Sequence, residues 1–216
     1  MNIKAAAFLF DLNGTVIDDM GYHAAAWHNI LTNDLKAGFT QEEVKQQMYG
    51  KNEEVLIRFF GPGHFTKEQM QELSIEKEKR YQQAYLPNLK LLDGLQEFLD
   101  QAKAAGIKMA IGSAAIPFNI DFVLDNLQLR KYFPVVVSAD DVFISKPHPE
   151  TFLQCATALG VAPEDCIVFE DAPKGVESSL NAGMRTFVLT TSHPKEDFAQ
   201  YSNVIGYGAD YMGLFV

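Results

Sequence analysis

The first pattern in the chain is a run without polar residues, Ala5-Ala6-Ala7-Phe8-Leu9-Phe10, closed by an acid and an Asn-Gly pair. A short apolar run ended by a turn signal predicts a strand buried on both faces. Comparable runs recur over 108–111, 135–137, 167–169 and 186–189. Segments with apolar residues at helical spacing separate them, over 95–105, 118–127, 149–159 and 174–182. This alternation predicts an α/β fold with a Rossmann-like three-layer core, a parallel sheet covered by helices on both faces. The last residues, 210–216, are expected to form a short helix docking on that sheet.

Between the first and second predicted strands the pattern is purely helical. Met20, Ala24, Trp27 and Leu31 recur at helical spacing, and Thr40 followed by Glu42 and Glu43 reads as a helix start. Gly50 interrupts, then Val55, Ile57, Phe59 and Phe60 carry another apolar segment up to the break Gly61-Pro62-Gly63. Residues 66–85 read as one long, charge-rich helix. The expected organisation is a core of residues 1–15 and 87–216 with an inserted all-helical cap of residues 16–86.

Composition narrows the function. The 216 residues, 47% hydrophobic and 21% charged, are ordinary for a globular chain with one core and a smaller insert. A net charge of −10 with no basic cluster argues against nucleic-acid binding. It leaves a phosphorylated ligand open, because a metal and one or two local cations dominate a small pocket. Cys155 and Cys166 lack metal-like spacing and are expected as buried thiols in a reducing compartment. No apolar run reaches membrane-spanning length, and a single Lys before the first strand does not make a signal peptide. The expectation is a soluble, cytoplasmic monomer with no membrane or nucleic-acid partner.

The candidate chemistry starts at Asp11. A carboxylate at the end of a buried strand stands where open α/β sheets place their ligands, and the amides of a Gly-containing turn can hold an anion. A nucleophile or metal ligand, or an Asp capping its own turn, fits these residues alone about equally well. Three distant stretches bear on the choice: Ile107-Lys108-Met109-Ala110-Ile111-Gly112-Ser113, Ser145-Lys146-Pro147, and Ile167-Val168-Phe169-Glu170-Asp171. Together with Phe10-Asp11-Leu12-Asn13-Gly14-Thr15-Val16-Ile17, and in this order, they resemble the four motifs of the haloacid dehalogenase-like phosphotransferases. Within that group the chain is most similar to the β-phosphoglucomutase-like subgroup, over nearly its whole length.

The resemblance implies Asp11 as a nucleophile that becomes an aspartyl phosphate. It implies Mg²⁺ held by Asp11, Asp171 and the backbone carbonyl of Asn13, with Glu170 orienting a metal-bound water or capping the following helix. Ser113, Ala114 and Gly14 would bind the phosphoryl oxygens, and Lys146 would offset the charge of nucleophile and phosphate. His23 and Trp27 match a Tyr-His-x-x-x-Trp pattern of the subgroup, in which the His couples cap closure to the acid–base residue. Lys51 and Asn52 fall where the subgroup's cap loop contacts substrate.

Three departures follow from the same comparison. The family's first motif is usually Asp-x-Asp, and here Asn13 holds the second position. A carboxamide has no proton to exchange near neutral pH, and losing a general acid–base costs about 10²–10⁴ in rate. An Asp→Asn variant, a natural enzyme of weak or altered activity, and a binding relic are all consistent with this residue. Glu53 stands where a β-phosphoglucomutase carries an Arg for its second phosphate, and Ala115-Ile116 where it carries a Ser-Lys pair. The expected function is Mg²⁺-dependent hydrolysis of a small phosphorylated metabolite such as a sugar phosphate. The alternatives are a β-phosphoglucomutase and a non-catalytic phosphometabolite-binding protein.

Overall fold

The computed structural model describes Met1 and residues 3–216, which form two compact units: Met1–Asp18 with Lys90–Val216, and Asp19–Leu89.

The first unit is built on six parallel strands: β1 (Ala7–Phe10), β2 (Lys108–Gly112), β3 (Val135–Val137), β4 (Cys166–Glu170), β5 (Arg185–Leu189) and β6 (Val204–Gly208), in the order β3-β2-β1-β4-β5-β6. Four helices of this unit lie between strands in sequence, α5 (Leu95–Ala104), α6 (Pro117–Asn126), α7 (Glu150–Leu159) and α8 (Pro173–Asn181). It is an α/β Rossmann-like core. Both faces of β1 are buried, as its apolar run requires. On one side Phe8 stacks on Phe98 of α5 at 5.3 Å between centroids, Phe10 on Phe169 at 4.7 Å, and Tyr211 closes the cluster. On the other, Ala7, Leu9 and Val168 pack with Phe152 and Cys155 of α7. Burying each large apolar side chain contributes about 1.5–3 kcal/mol, so the strands carrying the motifs are the most firmly held part of this unit.

One strand was missed and one expectation fails at the C-terminus. Strand β6 falls in a stretch, Val-Ile-Gly-Tyr-Gly, whose two glycines hide the strand signal. Residues 210–216 form turns and a single bridge rather than a helix. Their backbone groups pair elsewhere: Phe215 N–H donates to the Met1 carbonyl, Ile3 N–H to the Phe215 carbonyl and Tyr211 N–H to the Asp93 carbonyl, each at 2.9 Å. With these partners taken, no helical ladder forms.

The second unit is helical. It comprises α1 (Met20–Asn29), a π-turn over Ile30–Asp34, α2 (Gln41–Gln46), α3 (Asn52–Phe60) and α4 (Lys67–Tyr85). Thr40 and Thr66 start α2 and α4 with reciprocal capping boxes to Glu43 and Gln69. Trp27, Ile30, Leu31, Val44, Val55 and Leu56 give the unit its own core. Among the described residues, no helix is long and apolar enough to cross a membrane.

Candidate active site

The strand order reverses direction between β1 and β4, and their carboxyl ends are the ligand-binding position of such sheets. Phe10 pairs with Phe169, so the residues that follow, Asp11 and Glu170, emerge side by side, with Asp171 one step on. Asp11 N–H donates to the Phe169 carbonyl at 3.0 Å, which locks the register. One carboxylate oxygen from each of Asp11, Glu170 and Asp171 lies within 4.8 Å of the others, and all three residues are buried.

Lys146, from the loop between β3 and α7, reaches into this cluster. Its Nζ donates to Asp11 Oδ1 at 2.7 Å and to Glu170 Oε1 at 2.8 Å, and stands 4.5 Å from the centre of the Phe152 ring. Burial alone would lower the lysine pKa, but the two carboxylates hold it raised. Asp171 is left on the losing side of the charge balance. Burial first, then Glu170 and Asp11, push its carboxyl well above the ordinary range. Three crowded acids against one ammonium is an arrangement that a hard divalent cation relieves, and carboxylate oxygens are the donors Mg²⁺ takes. The residues fit that ion.

Glycines make room for the cluster. Gly14 has φ +74°, and a Cβ there would stand 2.0 Å from Asp171 Oδ2. Thr191 Oγ1 donates to the Gly14 carbonyl and Thr15 Oγ1 to Asp171 Oδ1 at 3.4 Å, so the first motif and the loop after β5 hold each other. Glu170 does more than either sequence role suggested. Besides the Lys146 contact, its Oε2 accepts the N–H groups of Asp171 and Ala172 at 2.9 Å each, just ahead of α8.

Ser113 follows β2, whose Ile111 pairs with Phe10, so it lies beyond the end of the strand next to Asp11. It is buried, its Oγ accepting from Ala115 N–H at 3.1 Å and its own N–H donating to the Val137 carbonyl at 2.9 Å. That N–H is therefore committed to the sheet, and Ala114 follows half-buried. Asn13 is half-buried and forms an isolated bridge with Ile17.

The remaining expected residues belong to the helical unit, where His23 and Asn52 join a second polar cluster. His23 Nε2 lies 3.2 Å from Asp19 Oδ2, which also accepts Tyr81 O–H at 2.5 Å, and the two rings stack at 3.7 Å. Lys77 Nζ approaches His23 Nδ1 at 2.6 Å and donates to Glu78 Oε1 at 3.0 Å. Asn52 Nδ2 donates to the same Glu78 oxygen at 2.9 Å. Lys51 is the residue before α3, its N–H donating to Glu54 Oε2 at 3.0 Å. Sequence reasoning missed Asp19, Lys77, Glu78 and Tyr81. A signal existed: Ser74, Lys77, Glu78, Tyr81 and Tyr85 share one face of α4, and all five are buried.

Comparison with known proteins places this geometry. A family model described as haloacid dehalogenase-like hydrolase matches residues 8–189. The chain belongs to that family. It is 30% identical to fructose-1-phosphate phosphatase YqaB of Escherichia coli, over 84% of this chain and 94% of that one. It is 32% identical to the β-phosphoglucomutase of Bacillus subtilis, over 82% and 80%. Among solved structures, a family IA hydrolase of Entamoeba histolytica superposes with a TM-score of 0.86 at 24% identity, covering 97% and 94%. The haloacid dehalogenase-like fold and family of this chain are thereby established.

Proposed function

We propose that the chain is a Mg²⁺-dependent phosphatase of a small phosphorylated metabolite, working through an aspartyl phosphate on Asp11. The observation that carries the reading is the cluster of three buried carboxylates, Asp11, Glu170 and Asp171, joined by Lys146 at the switch point of the sheet. Phosphoryl transfer asks a protein mainly for in-line positioning and for cancellation of spreading negative charge. A bound Mg²⁺ would supply part of that cancellation, held by Asp11, Asp171 and the Asn13 carbonyl. Both Glu170 oxygens already have hydrogen-bond partners, which suits a role through water rather than direct ligation.

In the proposed step an Asp11 oxygen bonds to phosphorus as the phosphorus–ester oxygen bond breaks. Lys146 offsets the charge on Asp11 and the phosphoryl group, and Ser113, Ala114 and the turn at Gly14 bind its oxygens. The departing alkoxide needs a proton, and water must later give one up as it attacks the aspartyl phosphate. Asn13 can do neither, which makes the chain as it stands a slow enzyme. Asn13 also favours a second reading, a protein that binds phosphometabolites without turning them over. Glu53 and Ala115-Ile116 weigh against a mutase, which must grip a second phosphate. His23, Lys51 and Asn52 keep the substrate- or phosphate-binding assignment that the resemblance gives them.

The test is a phosphate-release screen of the chain beside its Asn13→Asp variant. The variant should be faster by roughly 10²–10⁴. Asn13 precedes Gly14, a deamidation-prone pair, so mass mapping of that peptide must accompany each assay. Equal turnover by verified Asn13 protein would refute the missing-acid argument.

A further inference from the structure

Two members of the site are held by one helix. The N–H groups that Glu170 Oε2 accepts lie just ahead of α8, and Gly175 in its first turns leaves the space that the carboxylate fills. Further along the same helix, Ser178 Oγ donates to the His148 carbonyl at 2.8 Å and Asn181 Nδ2 to the Pro147 carbonyl at 3.0 Å. Pro147 and His148 are the two residues after Lys146. His148 N–H also donates to the Ser145 carbonyl at 3.0 Å, so Lys146 lies inside a turn that α8 grips from outside. The Lys146 bond to Glu170 at 2.8 Å closes the ring. Ser178 itself is fully buried. A serine inside a helix is a weaker helix former than alanine, and its hydroxyl ordinarily turns back on a carbonyl of its own helix. Here the hydroxyl bonds the loop instead.

We propose that Ser178 and Asn181 are positioning residues of the phosphoryl-transfer site: through the carbonyls of His148 and Pro147 they fix the loop that carries Lys146, and so hold its ammonium on Asp11 and Glu170. A lysine ammonium rides on a flexible four-carbon stem, so its place depends on where the backbone beneath it is fixed. Asp11 and Glu170 stand at the ends of β1 and β4, in the middle of the sheet, whereas the Lys146 loop follows β3, an edge strand of three residues. The grip of α8 supplies the anchoring that so short a strand does not. What Lys146 contributes once in place rests on the phosphatase reading above; how it is kept there does not.

The test has two readouts. The first is reductive methylation of the native chain with formaldehyde and cyanoborohydride, with Lys146 mapped by mass against exposed Lys90. Ser178→Ala should speed modification of Lys146 at least about threefold, the effect of losing one net hydrogen bond. Ser179→Ala is the control. That buried hydroxyl accepts from Thr186 Oγ1 at 2.7 Å and donates to the Met184 carbonyl at 3.2 Å, so its loss loosens α8 without touching the loop. It should leave Lys146 protected. The second readout is calorimetry of inorganic phosphate in Mg²⁺. Ser178→Ala should weaken phosphate roughly 3- to 10-fold in the otherwise unsubstituted chain, and not at all beside Lys146→Met. Unchanged Lys146 protection, an equal response to Ser179→Ala, or the same weakening in both backgrounds would overturn the proposal. Should Ser178→Ala not fold, Asn181→Ala at its exposed position carries the same comparisons. If inorganic phosphate does not bind the unsubstituted chain, the phosphatase reading falls, and Lys146 protection still decides the positioning.

Discussion

Gly175→Ala sets two physical rules against each other. Gly175 lies in the first turns of α8, and replacing a helical glycine with alanine ordinarily stabilises by up to about 1 kcal/mol. Here the new Cβ would stand 1.7 Å from Glu170 Oε1 and 1.9 Å from its Cδ. The carboxylate must leave. It would lose the hydrogen bond from Lys146 at 2.8 Å and those from the N–H groups of Asp171 and Ala172 at 2.9 Å each. At about 1.5–3 kcal/mol for each bond to a charged group, total loss of the three would reach roughly 4.5–9 kcal/mol. Partial recovery in another rotamer and the helix gain reduce this, and we expect a net destabilisation of about 2–5 kcal/mol. The only tryptophan, Trp27, belongs to the helical unit, so fluorescence reports the wrong half of the chain. Hydrogen exchange of the β4 amides is the suitable readout. The same substitution beside Glu170→Ala has nothing to displace and should be neutral or stabilising. A stabilised single variant, or an equal loss in both backgrounds, would refute the reasoning.

Three further predictions concern the same unit. Asp171→Asn should weaken Mg²⁺ binding substantially, and unchanged affinity in calorimetry would remove Asp171 from the metal site. Lys146→Met strips the ammonium that joins Asp11 and Glu170, and should cost about 3–5 kcal/mol. Part of that loss should return with Mg²⁺ in thermal melts; identical losses with and without the ion would contradict the charge argument. Burial pushes the Cys155 thiol up to about 12 and the Cys166 thiol to about 11, so both stay protonated at pH 8. Neither should react with a disulfide reagent until the chain unfolds, and rapid labelling of the native protein would show that they are less buried than described.

What could be read in advance depended on whether the chain's own periodicity fixes a residue's surroundings. Asp11, Ser113, Glu170 and Asp171 each close or follow an apolar run, and a run of that kind is a strand whose end has a defined place in a parallel sheet. Their places at strand ends were therefore legible before any coordinates, and the ordered resemblance joined them into one candidate site. Lys146 has no such run to anchor it and was found only through the ordered resemblance. The strand at 204–208 was missed because its glycines carry no side-chain pattern, and the expected terminal helix failed because its partners lie at the other end of the sequence.

Glu170 and Glu78 mark the two sides of that boundary. Both are buried carboxylates that accept from a lysine, at 2.8 and 3.0 Å. Glu170 is conspicuous in the sequence, because it closes the apolar run Cys-Ile-Val-Phe. Glu78 sits in Ile-Glu-Lys-Glu-Lys-Arg, where alternating charge reads as a solvated helix face. Only the packing of α4 against α1 and the start of α3 shows that Lys77 and Glu78 face inward, beside His23 and Asn52. A motif finds the acids that phosphoryl chemistry requires of every member of the family. Glu78, with one oxygen accepting twice and the other without a donor, comes to light only when the buried face of its helix is seen.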